Sequence, residues 1–300
     1  MTESMNTCTQ QLSKEQLELL PTEEDIAFYE EHGWYISKKI LPDELIDAAI
    51  LGSERYYRGE RDTPLLGKNA YSDWKPEDGN FIRNNEFVSL QNKQLHELGF
   101  YPIIAAIAAR LARTERIRLF ADSLLCKPPT TKDSDNGVVG WHTDKAYWHT
   151  CSSNNLLTAW IPFQNCDEFL GPLVVLDGSH KWSNTHLIKN FFDQNLDDLE
   201  EKFRQQGRQI TKVPMTLEKG QVSFHHCLTI HGSYPNYSNS FRLAMAIHMQ
   251  DDGNHYQPAW NQKGEQIHIG YETLCRKLPN GEPDFSDPAI FPMLWSKKDS

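Results

Sequence analysis

No CxxC pair occurs in this chain of 300 residues, although it carries six cysteines. That absence removes the usual zinc-ribbon and thioredoxin-like readings. No GxGxxG opens a βαβ unit and no GxxxxGK[ST] forms a phosphate loop. Basic charge is in short supply: 30 Lys and Arg face 41 Asp and Glu, a formal net charge of -11. Nucleic-acid backbones and anionic membrane surfaces call for the opposite sign, so neither is expected as a partner. Long apolar runs are missing as well. "YPIIAAIAARLA", the longest helical one, is too short to span a bilayer, ends in charge and suits a core-facing helix. The opening "MTESMNTCTQ" lacks the basic and apolar regions of a secretory leader. Together with unpaired Cys8, Cys126, Cys151, Cys166, Cys227 and Cys275, this predicts a reduced, cytoplasmic chain whose thiols serve as small buried hydrophobes.

What is present supports one sizeable folded unit. Hydrophobic residues make up 39% and aromatics 11%, enough to build a core. Residues 1–20 are polar and predict a flexible segment with room for one short helix. Residues 21–300 then form a single domain: a helical part over 21–115, a core of strands over 116–250 and an extension over 251–300. Thr22 with Asp25 offers a capping box, Gly33 a helix stop, "WYISKKI" a short strand, and Pro42 the first turn of a second helix. Residues 59–93, rich in Asp, Asn, Gly and Pro, predict a long loop region with short inserts, and 94–113 return to helix. From 116 onward, "RIRLFADSLLCKPP", "NNLLTAWIPF", "GPLVVLDGS", "GQVSFHHCLTI" and "FRLAMAIHM" are short strands between turns. They predict a mostly β fold, an antiparallel barrel or double-sheet jelly roll. The Pro-rich tail "NGEPDFSDPAIFPMLW" is expected to run over the outside of that barrel.

The chemistry begins with "GWHTDKAYWHT". A lone histidine is usually structural, but His142 and Asp144 stand two apart and share a face of an extended chain. A third ligand must come from elsewhere, and "HHCLTIHGSYPN" offers candidates. His225 and His226 point opposite ways, so at most one faces a barrel interior. His231 falls at the strand's end, before Gly232. Two histidines and one carboxylate form the facial set of non-haem Fe(II) oxygenases, leaving positions for a co-substrate and O2. In "SNSFRLAMAIHMQ", Arg242, Ala244, Ala246 and His248 line one face of a strand. A long cation beside two alanines suits an anionic guest, held by a bidentate pair, or equally a rim salt bridge.

On "WHTDKAYWH", "FLGPLVVLDGSHKWS", "FHHCLTIHGSYPN" and "SFR", and on the opening "FYEEHGWYISKKILPDELI", the chain resembles the phytanoyl-CoA dioxygenase family along nearly its whole length. That resemblance implies a double-stranded β-helix, a cupin-like jelly roll with flanking helices. It implies Fe(II) held by His142, Asp144 and His231, and 2-oxoglutarate as co-substrate, its distal carboxylate gripped by Arg242. Trp148 matches an aromatic position near the co-substrate, Thr158 a small hydroxyl residue that helps hold it, and Lys127 a lysine near the pocket. Asp144 is retained where related halogenases carry a small residue, so hydroxylation is implied, with release of succinate and CO2.

For the outer shell, Asp122 and Ser123 are candidate partners of a ligating imidazole. Lys145, Tyr147, Tyr71, Trp74, the loop "TTKDSDNGVV" and one of His225 and His226 are candidates to meet substrate. Gly178 suits a turn and His180 a structural role. The resemblance extends to bacterial members of this length, a cyanobacterial natural-product hydroxylase among them, and the loops are rich in Asn, Ser and Tyr. A small polar secondary metabolite is therefore the expected substrate. Acyl-CoA or amino-acid oxidation, and a non-catalytic metabolite-binding jelly roll, are the alternatives.

Overall fold

The computed structural model of the protein describes residues 12–65, 79, 81–130, 137–193 and 195–297. After a single turn, α1 (Lys14–Leu17), the chain enters α2 (Glu23–His32) through the expected capping box: the Thr22 hydroxyl accepts from the Asp25 N–H while the Asp25 carboxylate accepts from the Thr22 N–H. Gly33 ends α2 in the left-handed region at φ 78°, where a Cβ would also fall 2.3 Å from the His180 ring. Dihedral and space therefore both select glycine. β1 (Trp34–Ile36) and α3 (Asp43–Tyr57) follow. Pro42 sits one position earlier than expected, as the extended residue before α3 rather than inside its first turn.

Within the loop region lies β2 (Arg83–Glu86). The helical stretch expected over 94–113 is two helices, α4 (Lys93–Gly99) and α5 (Pro102–Leu111). Pro102 disfavours helical backbone at Tyr101, which is extended there, and so breaks the stretch.

The strands that follow are β3 (Arg116–Lys127), β4 (Val139–His142), β5 (Leu157–Pro162) and β6 (Leu173–Leu176). After α6 (Leu196–Gln205) come β7 (Lys212–Pro214), β8 (Ser223–His226), β9 (His231–Ser233) and β10 (Arg242–Asp251). A small β11 (Ala259–Trp260) and β12 (Gln266–Ile267) ribbon precedes β13 (Met293–Ser296). The larger sheet runs β1-β8-β5-β10-β3-β13, with β2 also on the outer edge of β3, and the smaller runs β4-β9-β6-β7. Every pairing in both sheets is antiparallel. The fold is the expected jelly roll with flanking helices.

The pleat of the larger sheet decides what faces the site. On its outer face Leu157, Ala159, Ile161, Phe224, Met245 and Ile247 pack against helical residues such as Ile46, Leu95, Ile103 and Ile107. Residues one step along, Thr158, Trp160, His225, Arg242, Ala246 and His248, line the interior. β3 carries one extra residue against β10, because His248 pairs with Ala121 and Met249 with Leu119. That bulge leaves Phe120 to pack on Trp148, with ring centroids 5.3 Å apart.

Two expectations need correction. The tail is more than an outer cover: β13 joins the larger sheet, and Phe285 and Phe291 are buried against Phe120 at 5.5 and 5.6 Å between centroids. Helix α6 was not expected, although Asn195 caps it and Leu196, Leu199 and Phe203 mark its apolar side. The five described cysteines are buried and free, as expected. No helix among the described residues is long and apolar enough to cross a membrane.

Candidate metal centre

His142 is the last residue of β4, Thr143 continues extended at φ -121° and ψ 147°, and Asp144 opens a 3-10 turn over Asp144–Ala146. The two side chains therefore emerge on one side of the chain, as the spacing predicts. His231 begins β9 rather than ending β8, because the chain crosses from the larger to the smaller sheet between them. β4 and β9 pair with His142 directly opposite His231, so the two rings lie 4.2 Å apart. Gly232 permits that approach: a Cβ there would fall 2.6 Å from the Val139 carbonyl oxygen. One donor atom from each of His142, Asp144 and His231 lies within 4.8 Å of the others, and all three residues are buried.

Each imidazole is held through its Nδ1. His142 Nδ1 lies 2.8 Å from the Gly140 carbonyl, and His231 Nδ1 lies 3.0 Å from the Thr229 carbonyl. A carbonyl can only accept, so each Nδ1 carries the proton and each Nε2 keeps its lone pair for an ion. Both partners are two residues upstream of the ring they hold. This corrects the expectation that Asp122 or Ser123 would supply them.

Burial holds the His142 and His231 imidazoles below their usual range. Burial alone would raise Asp144, but His231, His225 and His248 outweigh it and hold its carboxyl well below the usual carboxylate range. One carboxylate and two neutral imidazoles make an N2O donor set of the kind a divalent iron accepts, so the residues fit the ion.

Arg242, 3% exposed, donates to the Gly171 carbonyl at 2.5 Å, and its guanidinium carbon sits 5.6 Å from the Trp160 ring centroid. Its Nε is buried without a partner. A guanidinium this deep with an unused donor fits an anionic guest, which is the requirement of a distal carboxylate. No protein carboxylate pairs with it among the described residues, so the rim salt bridge is not observed.

Trp148 and Thr158 line the same cavity, Trp148 edge-on to His248 at 5.1 Å. Lys127 does not reach the cavity wall. It is Arg242's cross-strand partner, and its ammonium donates to the Ser233 hydroxyl at 2.5 Å and the Tyr234 carbonyl at 2.6 Å. Lys145 is likewise tied down, donating to the Cys151 and Ser153 carbonyls at 2.7 and 2.6 Å, whereas Tyr147 lines the cavity. His225 faces the interior and His226 turns away toward His180, with ring centroids 5.5 Å apart. His180 is structural, at 3.1 Å from the Glu30 carbonyl, and Gly178 turns at φ 65°. Tyr71, Trp74 and residues 131–136 of the loop lie outside the described residues.

Asp122 has a different task. It accepts from the Ser89 hydroxyl at 2.5 Å and the Ser89 N–H at 3.2 Å. Burial pushes its carboxyl up to about 6, against about 3.9 in an unfolded chain. The folded state therefore retains a proton that the unfolded state releases, and stability is lost as pH rises from about 4 through about 6, by roughly 2–3 kcal/mol. Asp122→Asn is expected to remove that dependence and to be the more stable form at pH 7.5. Urea unfolding of both forms at pH 4 and 7.5 checks it; parallel pH profiles would contradict the burial argument.

The cavity measures about 990 Å³. Its outer wall is formed by residues to which sequence reasoning gave no role: Arg83, Asn84, Asn85 and Glu86 of β2, and the aromatics Phe81, Phe191 and Phe192. Burial pushes the Glu86 carboxyl up to about 7, although the Tyr271 hydroxyl donates to it at 2.8 Å. Burial alternates along "RNNE" in the folded chain, but all four residues are polar, so the sequence carries no apolar alternation to mark the strand.

The model of the phytanoyl-CoA dioxygenase family matches residues 29–244. Peroxisomal phytanoyl-CoA dioxygenase of Bos taurus is 27% identical over 256 residues, covering 83% of this chain and 74% of the relative. Among solved structures, the non-heme alpha ketoglutarate dependent carbocyclase SnoK from nogalamycin biosynthesis superposes with a TM-score of 0.67 at 23% identity, over 91% of this chain and 96% of its own. EctD from S. alaskensis, solved with 2-oxoglutarate and 5-hydroxyectoine, superposes with a TM-score of 0.65 at 18% identity, over 96% and 90%.

Proposed function

This chain belongs to the phytanoyl-CoA dioxygenase family, and from that premise we propose that His142, Asp144 and His231 hold its Fe(II), that Arg242 anchors its 2-oxoglutarate, and that it hydroxylates a secondary metabolite. The observation that carries this reading is that three convergent donors share a cavity with a buried guanidinium that has no carboxylate partner among the described residues and whose Nε is unsatisfied. When bound, Fe(II) with 2-oxoglutarate supplies the oxidation by O2 that yields succinate, CO2 and hydroxylated product.

The chain's own residues set the geometry. His142 and His231 present Nε2, since their Nδ1 protons are committed to carbonyls. Arg242 offers a planar fork that suits a carboxylate better than a point charge would. Trp148, Trp160 and Leu173 line the inner wall with apolar surface and exclude water from the reacting groups. Lys127 braces Ser233 and Tyr234, two and three residues beyond His231.

A substrate of moderate size with polar substituents is supported by the cavity, whose volume stands near the upper end for small-molecule sites. Asn84, Asn85 and Glu86 offer polar contacts, and Phe81, Phe191 and Phe192 an apolar wall. Among the described lining residues the cations are Arg83 and Arg242, both buried, so nothing there is set to receive the phosphates of an acyl-CoA. The carbocyclase SnoK serves nogalamycin biosynthesis, and that likeness agrees with a secondary metabolite. The test is a panel of polar natural products, acyl-CoA thioesters and amino acids, assayed with Fe(II), 2-oxoglutarate and O2. Succinate release coupled to a gain of one oxygen atom is expected within the natural-product set. Coupled turnover confined to thioesters or amino acids would overturn the substrate class.

A further inference from the structure

Three residues far apart in the chain form one row across the larger sheet. His248 of β10 pairs with Thr158 of β5, and Thr158 pairs with His225 of β8. Cross-strand partners share a face, so the three side chains project together into the interior. They meet there at Asp144. Thr158 Oγ1 lies 2.6 Å from Asp144 Oδ2 and 2.8 Å from His248 Nδ1. His225 Nε2 stands 3.3 Å from the same Oδ2, off the hydrogen-bond direction, with neither ring nitrogen satisfied by the protein.

The proton directions in this row follow from chemistry. A hydroxyl has one proton and an ionised carboxylate can only accept, so the Thr158 proton points to Oδ2. His248 Nδ1 must then donate to Thr158 Oγ1. The result is a directed chain, His248 Nδ1–H to Thr158 Oγ1–H to Asp144 Oδ2. It occupies Oδ2 with a charge-assisted bond and leaves Oδ1, 3.6 Å from His231 Nε2, facing the other two ligands.

We propose that Thr158 and His248 are positioning residues that make Asp144 a one-oxygen ligand. A carboxylate free to rotate could swing its donor oxygen away from the ion's position or offer both oxygens to it, and either change weakens or alters the metal site that the other two ligands define. The relay prevents this by holding one oxygen inside the sheet. Thr158 thereby has a task different from the one its family likeness implies: it orients the metal's carboxylate and does not hold 2-oxoglutarate. The proposal rests on the assignment of Asp144 as a metal ligand.

The test compares wild type with Thr158→Val, Thr158→Ser, His248→Phe and the double variant Thr158→Val/His248→Phe. Anaerobic Fe(II) affinity is measured by chelator competition, 2-oxoglutarate affinity at saturating Fe(II), and the visible spectrum with Co(II) as probe. Loss of an outer partner weakens metal binding about 10- to 100-fold, so Thr158→Val and His248→Phe should each show that loss, and Thr158→Ser should stay within about threefold of wild type. The double variant should be no weaker than either single one, because one chain is cut in each case. The Co(II) spectrum should shift in the variants lacking the relay and be restored by serine, while 2-oxoglutarate affinity holds.

Wild-type metal affinity and an unshifted spectrum in Thr158→Val and His248→Phe would overturn the relay. So would a Thr158→Val protein whose metal affinity is intact and whose 2-oxoglutarate affinity has dropped, since the hydroxyl would then serve the co-substrate. If thermal melts show Thr158→Val unfolded, His248→Phe carries the same prediction. A wild type that binds no Fe(II) refutes the metal assignment, whereas a wild type that binds it no more tightly than its variants refutes the relay alone.

Discussion

His231→Ala is expected to lose stoichiometric Fe(II) binding and all coupled succinate release. His142 and Asp144 sit two residues apart on one strand end, while His231 comes from the strand paired opposite and closes the set. Without it, two donors remain, His142 Nε2 and one Asp144 oxygen, and no protein atom completes the face. The loss should exceed the roughly 10- to 100-fold that removal of an outer partner causes. The apoprotein should nevertheless fold. His231 is crowded by the His142 and His225 rings at 4.2 and 4.3 Å, and when it is removed the buried Asp144 carboxylate loses one favourable neighbour but keeps the Thr158 hydroxyl as a hydrogen-bond donor. Thermal melts separate the two effects. In wild type, Fe(II) at a hundred times its Kd adds about 2.7 kcal/mol of stability by mass action. In His231→Ala the same addition should leave the melt unchanged. Metal analysis after anaerobic reconstitution then gives one iron per chain in wild type and a trace in the variant.

Arg242→Met separates the co-substrate from the ion. A buried charge pair broken from one side costs about 3–5 kcal/mol, which corresponds to roughly two to three and a half orders of magnitude in affinity. The apparent Kd for 2-oxoglutarate should rise by that factor while Fe(II) affinity stays put. Arg242→Lys should fall between, because an ammonium lacks the planar fork. Stability moves in the opposite direction. Without a guest, wild type keeps a guanidinium buried with one carbonyl partner and an unsatisfied Nε, close to the equally buried Lys127. Methionine in that space removes the desolvation cost, so the apo variant should be at least as stable as apo wild type. Calorimetric titration of 2-oxoglutarate into each Fe(II)-loaded protein, with melts of the apo forms, reads both. Unchanged co-substrate affinity in Arg242→Met would place the diacid elsewhere.

The parts of the site legible in the sequence are those that depend on short spacings. His142 and Asp144 share a face because any extended chain puts alternate side chains together, and Arg242, Ala246 and His248 share one for the same reason. His231 was legible as a ligand but not as the start of a strand, because the crossing between sheets at Cys227–Ile230 leaves no periodic mark. The row His248–Thr158–His225 needs the lateral register of three strands, and register is set by tertiary packing and loop lengths. The carbonyls of Gly140 and Thr229, which hold the ligating rings where side chains of β3 were expected, are local to each ring, but a backbone carbonyl is present at every position and leaves no mark in the sequence. Helix α6 was missed for another reason: its charged residues and its place among strands obscured a cap and an apolar stripe that are plain once the helix is seen.

The most direct test of the central claim is an anaerobic titration of 2-oxoglutarate into the Fe(II)-loaded protein, followed in the visible spectrum. A weak charge-transfer band should grow to saturation at one equivalent of iron per chain, vanish in His231→Ala, and need far more co-substrate in Arg242→Met. A wild type that binds iron but gives no such band, or a band that persists in His231→Ala, would contradict the assignment of these residues to one iron and its diacid.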